Sequence, residues 1–309
     1  GILDPVHIQN QYDYHLRRSH NRLTVASDEV NHIEFGYSAD SSRLASVSKN
    51  GTHRAEYAYH VGGDLLNTTT YKVNNTAVGV VARTFDRLNR LTQIQSDSVA
   101  GPDERFTYTY NAAGQRTRVD LLDGTYWLYQ YDTLGQVTGG KRYIDLPPTG
   151  PNGDVLMPGQ QFEYTFDHIG NRTETKAGGD SAGQNLRTAT YTRNLLNQYT
   201  TRTVPGTVDM MGFAPAGNTV TFATPPGGTP VAADFRWGEF YQKALGWTNS
   251  STARFEGVDI STDGQPGAEE TRWVFLPRTP EWFSHDADGN LLSDGKWLYT
   301  WDGENRLIA

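Results

Sequence analysis

"YTYNAAGQRTRV", Tyr108 to Val119, is the stretch whose interpretation decides the fold. Tyr108 and Tyr110 stand two apart, so in an extended strand both rings project from one face. Asn111 follows, and its side chain accepts hydrogen bonds from backbone N–H groups two residues on, which starts a turn. Gly114, three residues later, supplies the left-handed conformation that sends the chain back. The phrase therefore reads as strand, turn and returning strand. It recurs as "YQYDTLGQVT" (Tyr129, Tyr131, Asp132, Gly135), "YTFDHIGNRT" (Tyr164, Phe166, Asp167, Gly170) and "YTWDGENRLI" (Tyr299, Trp301, Asp302, with Asn305 in the glycine slot).

More degenerate copies emerge once the template is known. "YAYHVGGDLL" keeps Tyr57, Tyr59 and Gly63, and "RTFDRLNRLT" keeps Phe85, Asp86, Asn89 and Arg90. "FSHDADGNLL" keeps Asp286 and Gly289, "FGYSADSSRL" keeps its aromatics and Arg43, and "YTRNLLNQY" is the weakest. The second aromatic slots at 37, 59, 85, 110, 131 and 166 lie 21 to 35 residues apart. That is the spacing of one supersecondary unit per repeat. No unit of this size buries its own aromatic face, so the units must stack.

These residues closely resemble the YD repeats, also called Rhs repeats, of bacterial Rhs and wall-associated proteins, toxin-complex B and C components and teneurins. The resemblance covers roughly residues 30 to 200 and 280 to 309. It implies long twisting strips of β-hairpins that spiral into a hollow shell associated with toxins or adhesive modules. On that basis the expectation is a non-enzymatic scaffold, secreted or at a bacterial cell surface. The resemblance also implies partners, the rest of a larger Rhs-type polypeptide or an associated toxin, and the aromatic residues add glycans as candidate ligands. Because the last repeat stops at Ala309 and so few repeats cannot close a shell, the sequence is expected to be a fragment.

Composition agrees with an all-β chain. The 309 residues include 17 Tyr, 7 Trp and 32 Gly, which favours strands joined by glycine-containing turns. Lys and Arg total 27 against 35 Asp and Glu, with no dense basic run, so no nucleic-acid partner is expected. The absence of cysteine excludes disulfides, thiolate metal sites and thiol nucleophiles. No apolar run approaches the roughly 18 residues of a membrane-spanning helix.

Between Thr203 and about Thr279 the phrase disappears, and Pro, Gly and short alternating Val/Thr/Phe runs replace it. The expected organisation is a YD-repeat β strip over 1–202, an inserted Ig-like β-sandwich over 203–280 and a return to the repeats over 281–309. "NTVTFAT", "AADFRWGEFYQKALGWT" and "TRWVFLP" are the expected strands of the insert. "LPPTGPNGDVLMPG", Leu146 to Gly159, is too rich in Pro and Gly for a strand interior and reads as a loop.

One cluster invites chemistry. "HIQNQYDYHLRRSHNR" gathers Tyr12, Tyr14, His15, Arg17, Arg18 and His20. As a continuous strand it would put Tyr12, Tyr14, Arg18 and His20 on one face and His15 and Arg17 on the other. Tyr, His and Arg together can neutralise a uronate and move its α-proton, so a polysaccharide lyase is the enzymatic alternative. The same residues also fit an ordinary repeat with charged cross-strand neighbours. "DADGNLLSDG" carries Asp286, Asp288 and Asp294, but Asn290 and Trp297 fill the fifth and twelfth positions where a calcium loop needs carboxylates, so a turn is expected and no metal. No cofactor is expected either, since phosphate loops, zincin helices and nucleophile elbows are missing. Trp237 and Trp247, each beside a glycine and outside the repeats, are the candidates for stacking on sugar rings, with Trp273 a further unconstrained indole.

Overall fold

Strands and turns account for all regular structure in the computed structural model, which describes residues 6–26, 28–145, 153–263 and 269–309. The chain divides into two compact units, Gly1–Tyr126 and Trp127–Ala309.

In the first unit the strands are β1 (Val6–Tyr12), β2 (Arg18–Val25), β3 (Asp28–Tyr37), β4 (Leu44–Lys49) and β5 (His53–Tyr59). They continue as β6 (Leu66–Val73), β7 (Thr76–Phe85), β8 (Leu91–Ser98), β9 (Glu104–Tyr110) and β10 (Arg116–Leu121). Each pairs antiparallel with the next, so the unit is a meander. Period-two alternation gives it two unlike faces. The row Phe35, Val47, Ala55, Tyr71 lies across β3 to β6 on one side, and the row Glu34, Ser48, Arg54, Lys72 on the other. The turns also differ by edge. At one edge Asn50–Gly51 and Asn74–Asn75 both place two successive residues at positive φ, the two-residue hairpin geometry that follows the strand twist. The repeat motifs turn the chain at the other. Of the described hydrophobic side chains in this unit, only Val119 and Tyr126 are fully buried.

β11 (Thr125–Tyr131) carries the boundary between the units. The second unit continues with β12 (Val137–Ile144), β13 (Val155–Phe166), β14 (Arg172–Gly178), β15 (Leu186–Arg193) and β16 (Tyr199–Arg202), again in antiparallel succession. The loop expected over Leu146–Gly159 is corrected in its second half: Val155 to Gly159 belong to β13, with Met157 1% exposed. Residues 146–152 lie outside the described residues. A wide bulge accommodates the Pro-Gly pair. Gln161 pairs with Lys141 and Leu156 with Tyr143, so four residues including Pro158 and Gly159 oppose Arg142 alone.

After β16 the chain leaves this ladder for seven strands: β17 (Thr207–Phe213), β18 (Val220–Ala223), β19 (Val231–Ala232), β20 (Phe235–Trp237), β21 (Phe240–Gly246), β22 (Arg254–Thr262) and β23 (Glu269–Leu276). They form a three-stranded sheet, β17–β21–β20, and a four-stranded sheet, β19–β18–β22–β23. The sheets share one core of Met210, Tyr241 and Leu245 from the first and Val220, Phe222, Val258 and Ile260 from the second. This is a two-layer sandwich. The chain then returns through β24 (Glu281–Trp282), which pairs with β16, and closes with the short hairpin β25 (Ser284–His285) and β26 (Leu291–Ser293).

The sandwich has a neck and a seat. At the neck the Asn249 amide, 4% exposed, donates to the carbonyls of Val204 and Pro277 at 3.1 and 2.8 Å, tying the outgoing and returning chain together. At the seat Ile144 and Met157 of the repeat ladder cluster with Phe240 of the sandwich. Beside them Arg187 of β15 pairs with Asp209 of β17, whose other carboxylate oxygen accepts from Gln242 at 2.7 Å. Gly178 leaves the space the Arg187 guanidinium fills.

Candidate functional site

The recurring residues build one device at most of the repeat turns, while the turns after Tyr37 and Tyr59 carry Ser38 and His60 in the Asp slot. In the turn at Asp86 the carboxylate Oδ1 accepts the backbone N–H groups of Leu88 and Arg90 at 2.8 and 3.0 Å. Its Oδ2 accepts from Arg90 Nε at 2.7 Å. Asn89 sits between at a φ of 61°. The clasp repeats at Asp13, Asn111, Asp167, Asn194, Asp286 and Asp302, with Arg, Asn or Gln at the fifth position. Asp132 makes the same two backbone contacts, with Leu134 and Gln136. The left-handed residue is Gly at 114, 135, 170 and 289 and Asn at 89, 197 and 305. The amide hydrogen bonds hold these carboxyls in the charged form: the Asp86 pKa is lowered by the Arg90 N–H and side chain, that of Asp167 by Asn171, and that of Asp302 by Arg306.

Clasps also reach the next repeat, and the Ser38 turn does so through Arg43. Arg90 lies 4.7 Å from the centroid of the Tyr110 ring, and Arg17 and Arg43 stand likewise over Tyr37 and Tyr59 at 4.3 and 5.3 Å. In return the hydroxyls of Tyr37, Tyr59 and Tyr110 donate to the carbonyls of Arg18, Leu44 and Leu91. Trp301 Nε1 does the same to Leu291. The aromatic, the Asp and the basic residue are thus one ladder of turns rather than separate features.

Sequence inspection missed two clasps and undervalued a third. "QYDYHLRRS" is a repeat: Asp13 makes the turn, Leu16 takes the left-handed position at a φ of 62°, and Arg17 closes it. "DSAGQN" turns at Asp180 and Gly183 with no aromatic ahead of it. "YTRNLLNQY", the weakest copy by eye, forms a full clasp at Asn194. The spacing of Asp or Asn to a basic or amide residue four further on is the signal that finds all three. In "YAYHVGGDLL" the positive φ falls on Gly62, not Gly63.

The first clasp corrects the continuous-strand reading of the N-terminal cluster. β1 ends at Tyr12, residues 13–17 turn, and β2 starts at Arg18, which pairs with Tyr12. Tyr14 and His15 sit on the turn with their rings 3.7 Å apart and Tyr14 89% exposed. Arg17 is engaged by Asp13 and Tyr37. His20 faces His32 and Glu34 instead. The structure does not bring Tyr12, Tyr14, His15, Arg17, Arg18 and His20 to one point.

Of the sugar-stacking candidates, Trp247 is half-buried against the sandwich core, while Trp237 is 41% exposed. A third site stands out on the outer face of the four-stranded sheet. Phe255 and Trp273, 64% and 61% exposed, stack with ring centroids 5.2 Å apart. Gly257, paired with Trp273, and Pro226 lie at the base of the pair. On the same strands Asp259 accepts from Thr271 at 2.6 Å.

No family model matches the sequence, and no curated protein matches it. Among solved structures, that of TcdB2-TccC3-Cdc42 aligns with 98% of this chain at 12% identity and a TM-score of 0.48, and this chain spans 17% of that one. TcdB2-TccC3 without its hypervariable C-terminal region aligns over 98% at 13% identity and a TM-score of 0.47, again across 17% of its chain. The YD-repeat resemblance is carried by the clasp itself: aromatic, Asp, left-handed residue and basic or amide closure recur in register through an open antiparallel strip.

Proposed function

We propose that this chain is a segment of a YD-repeat scaffold belonging to a larger secreted or surface polypeptide of bacterial type, which encloses or presents a toxin or an adhesive module. The observation that carries this reading is the turn ladder. Recurring aromatic, acidic and basic residues such as Arg17, Tyr37, Tyr59, Asp86, Arg90 and Tyr110 are engaged in forming the turns and holding one repeat to the next, which is the economy expected of a wall. Residues 203–280 would then be a sandwich carried on that wall.

The test is protease protection in the longer polypeptide. Replacing Asp86, Asp132 and Asp167 together by Ala should open the strip and expose whatever it encloses to digestion. Unchanged protection of the remaining polypeptide would defeat the enclosing role. The lyase alternative is checked by incubating the protein with uronate polysaccharides and following absorbance of the unsaturated product. Steady product that vanishes in Tyr14→Phe or His15→Ala would overturn the scaffold reading.

A second role is favoured by the exposed Phe255–Trp273 pair: the outer face of the sandwich offers a flat apolar platform with hydroxyl and carboxylate groups beside it, which suits a glycan. Loss of glycan-array binding in Trp273→Ala but not in Trp247→Phe supports it. Equal binding by both, or none by the intact protein, removes it.

A further inference from the structure

The polar face of the first unit holds a cluster that the turn ladder does not use. His20 on β2 pairs directly with Glu34 on β3, and His32, two residues before Glu34, projects from the same face. His20 Nε2 and His32 Nε2 each lie 3.8 Å from Glu34 Oε1. One ligand atom from each of the three residues falls within 4.8 Å of the other two. The imidazoles stack at 5.3 Å between centroids.

The neighbours of the three groups hold their other atoms. His32 Nδ1 lies 3.4 Å from Glu29 Oε1, a carboxylate that favours the ring with its proton on Nδ1 and its lone pair on Nε2. His20 Nδ1 is 3.1 Å from Ser19 Oγ, which can accept its proton in the same way. Ser48 Oγ donates to Glu34 Oε2 at 3.1 Å and leaves Oε1 turned toward the histidines. Two nitrogen lone pairs and one carboxylate oxygen converge, each with its partner atom anchored behind it. One group opposes them: Arg22 Nε donates to His32 Nε2 at 3.4 Å. The same Nε lies 3.6 Å from Glu29 Oε2, so a carboxylate is at hand when the imidazole lone pair is taken.

We propose that His20, His32 and Glu34 bind a divalent first-row transition metal, with Zn²⁺ the best fit, as a clip across β2 and β3. Two imidazoles and one carboxylate form a donor set that suits Zn²⁺ and leaves a fourth position for water. Imidazole donors disfavour Ca²⁺ and Mg²⁺, which take oxygen ligands. Zn–ligand bonds of about 2.0–2.1 Å put tetrahedral ligands about 3.3 Å apart, so the side chains close in by about 0.5–1.5 Å on binding. Glu34, the most exposed of the three at 49%, has room to move.

The test uses the full chain with Zn²⁺ by calorimetry and Co²⁺ by visible absorption, since tetrahedral Co²⁺ absorbs far more strongly than the aqueous ion. The expected result is one site per chain with a tetrahedral Co²⁺ spectrum. His32→Gln and Glu34→Gln should abolish it. Glu29→Gln, acting through the His32 ring and through the loss of the alternative partner of Arg22, should weaken binding by at least about tenfold. Arg22→Leu should tighten it, because the competing donor and its positive charge are removed, and misfolding cannot produce a gain. Equal Zn²⁺ affinity in wild type and His32→Gln, an octahedral Co²⁺ spectrum, or no tightening in Arg22→Leu would overturn the proposal.

Discussion

The strip of the first unit and the sandwich at residues 207–276 hold together by different means. Both are antiparallel and both alternate apolar with polar side chains, yet Phe222 and Val258 in the sandwich are completely buried while the matching row in the strip, Phe35, Val47 and Tyr71, keeps solvent contact, with Tyr71 45% exposed. The sandwich folds its second sheet over the first and gains cohesion from apolar area removed from water. Among the described residues the strip has no such second layer within its own unit. What it has is local: a hydrogen-bonded ladder, paired left-handed turns, Asp–Arg clasps at Asp13 and Asp86, and Arg17, Arg43 and Arg90 each seated on the aromatic of the next repeat. A sheet can therefore be organised from its edge as well as from its face.

The comparison can be broken most directly by truncating one ring on each side. Phe222→Ala is expected to cost about 3–5 kcal/mol in denaturant unfolding, because the site is sealed on all sides. Tyr57→Ala, half-buried in the strip, should cost clearly less; equal losses would mean that the strip has a core after all. All seven Trp residues lie beyond Tyr126, so indole fluorescence follows the second unit and hydrogen exchange is needed for the first.

The next effect concerns the seat of the sandwich. Asp209→Ala leaves the Arg187 guanidinium, 20% exposed, without its carboxylate and should cost about 2–3 kcal/mol, somewhat below the loss for a fully buried pair. A loss under half of that in thermal unfolding would show that the apolar cluster around Phe240 suffices to hold it.

At the edge of the strip, Gly114→Val places a β-branched residue at a φ of 80°, where a Cβ meets nothing, so the cost is conformational alone and should be about 1–2 kcal/mol. Gly114→Asn should be close to neutral, since Asn fills the same slot at 89, 197 and 305. Gly135→Val tests the same slot in the second unit and should cost more than about 1 kcal/mol.

The smallest effect is the pH dependence of the clasps. The folded-state pKa of Asp86, Asp167 and Asp302 is lowered, so the stability they contribute is complete above the ordinary aspartate pKa of about 4 and is lost as pH falls through the lowered value. Glu281 runs the other way. Burial raises its pKa despite Arg202 beside it, so its penalty is relieved as pH falls through the raised value. Asp86→Asn should keep the turn, as Asn111 and Asn194 do naturally, and flatten the acid limb of the stability curve. An unchanged acid limb would remove the clasp carboxylates as its cause.

The strip was legible because its signal is local: an aromatic pair, an Asx residue and a left-handed position occupy seven consecutive residues and recur. It failed where one local cue was replaced. Leu16 stands where glycine was expected, and Asp180 has no aromatic before it, so both turns went unseen although the hydrogen bonds are the same. Pro158 and Gly159 misled for the opposite reason, being breakers that a bulge absorbs within β13. The insert showed its β character, but the partnership of Phe255 with Trp273 joins residues from two strands and has no trace in either segment. The meeting of His20 with His32 and Glu34 is of the same kind: it depends on the cross-strand register of β2 with β3.

The direction of the ladder has a kinetic consequence. The Tyr37, Tyr59 and Tyr110 hydroxyls donate backward to carbonyls 19, 15 and 19 residues earlier in the chain. Each new repeat thus docks on one already made, with a short loop to close and little entropy lost per step. The neck is different, for Val204 N–H waits for the Thr279 hydroxyl 75 residues later. During synthesis the strip can settle turn by turn as it emerges. The junction that carries the sandwich can close only after the whole insert has been translated, which sets it apart from the turn-by-turn contacts of the strip.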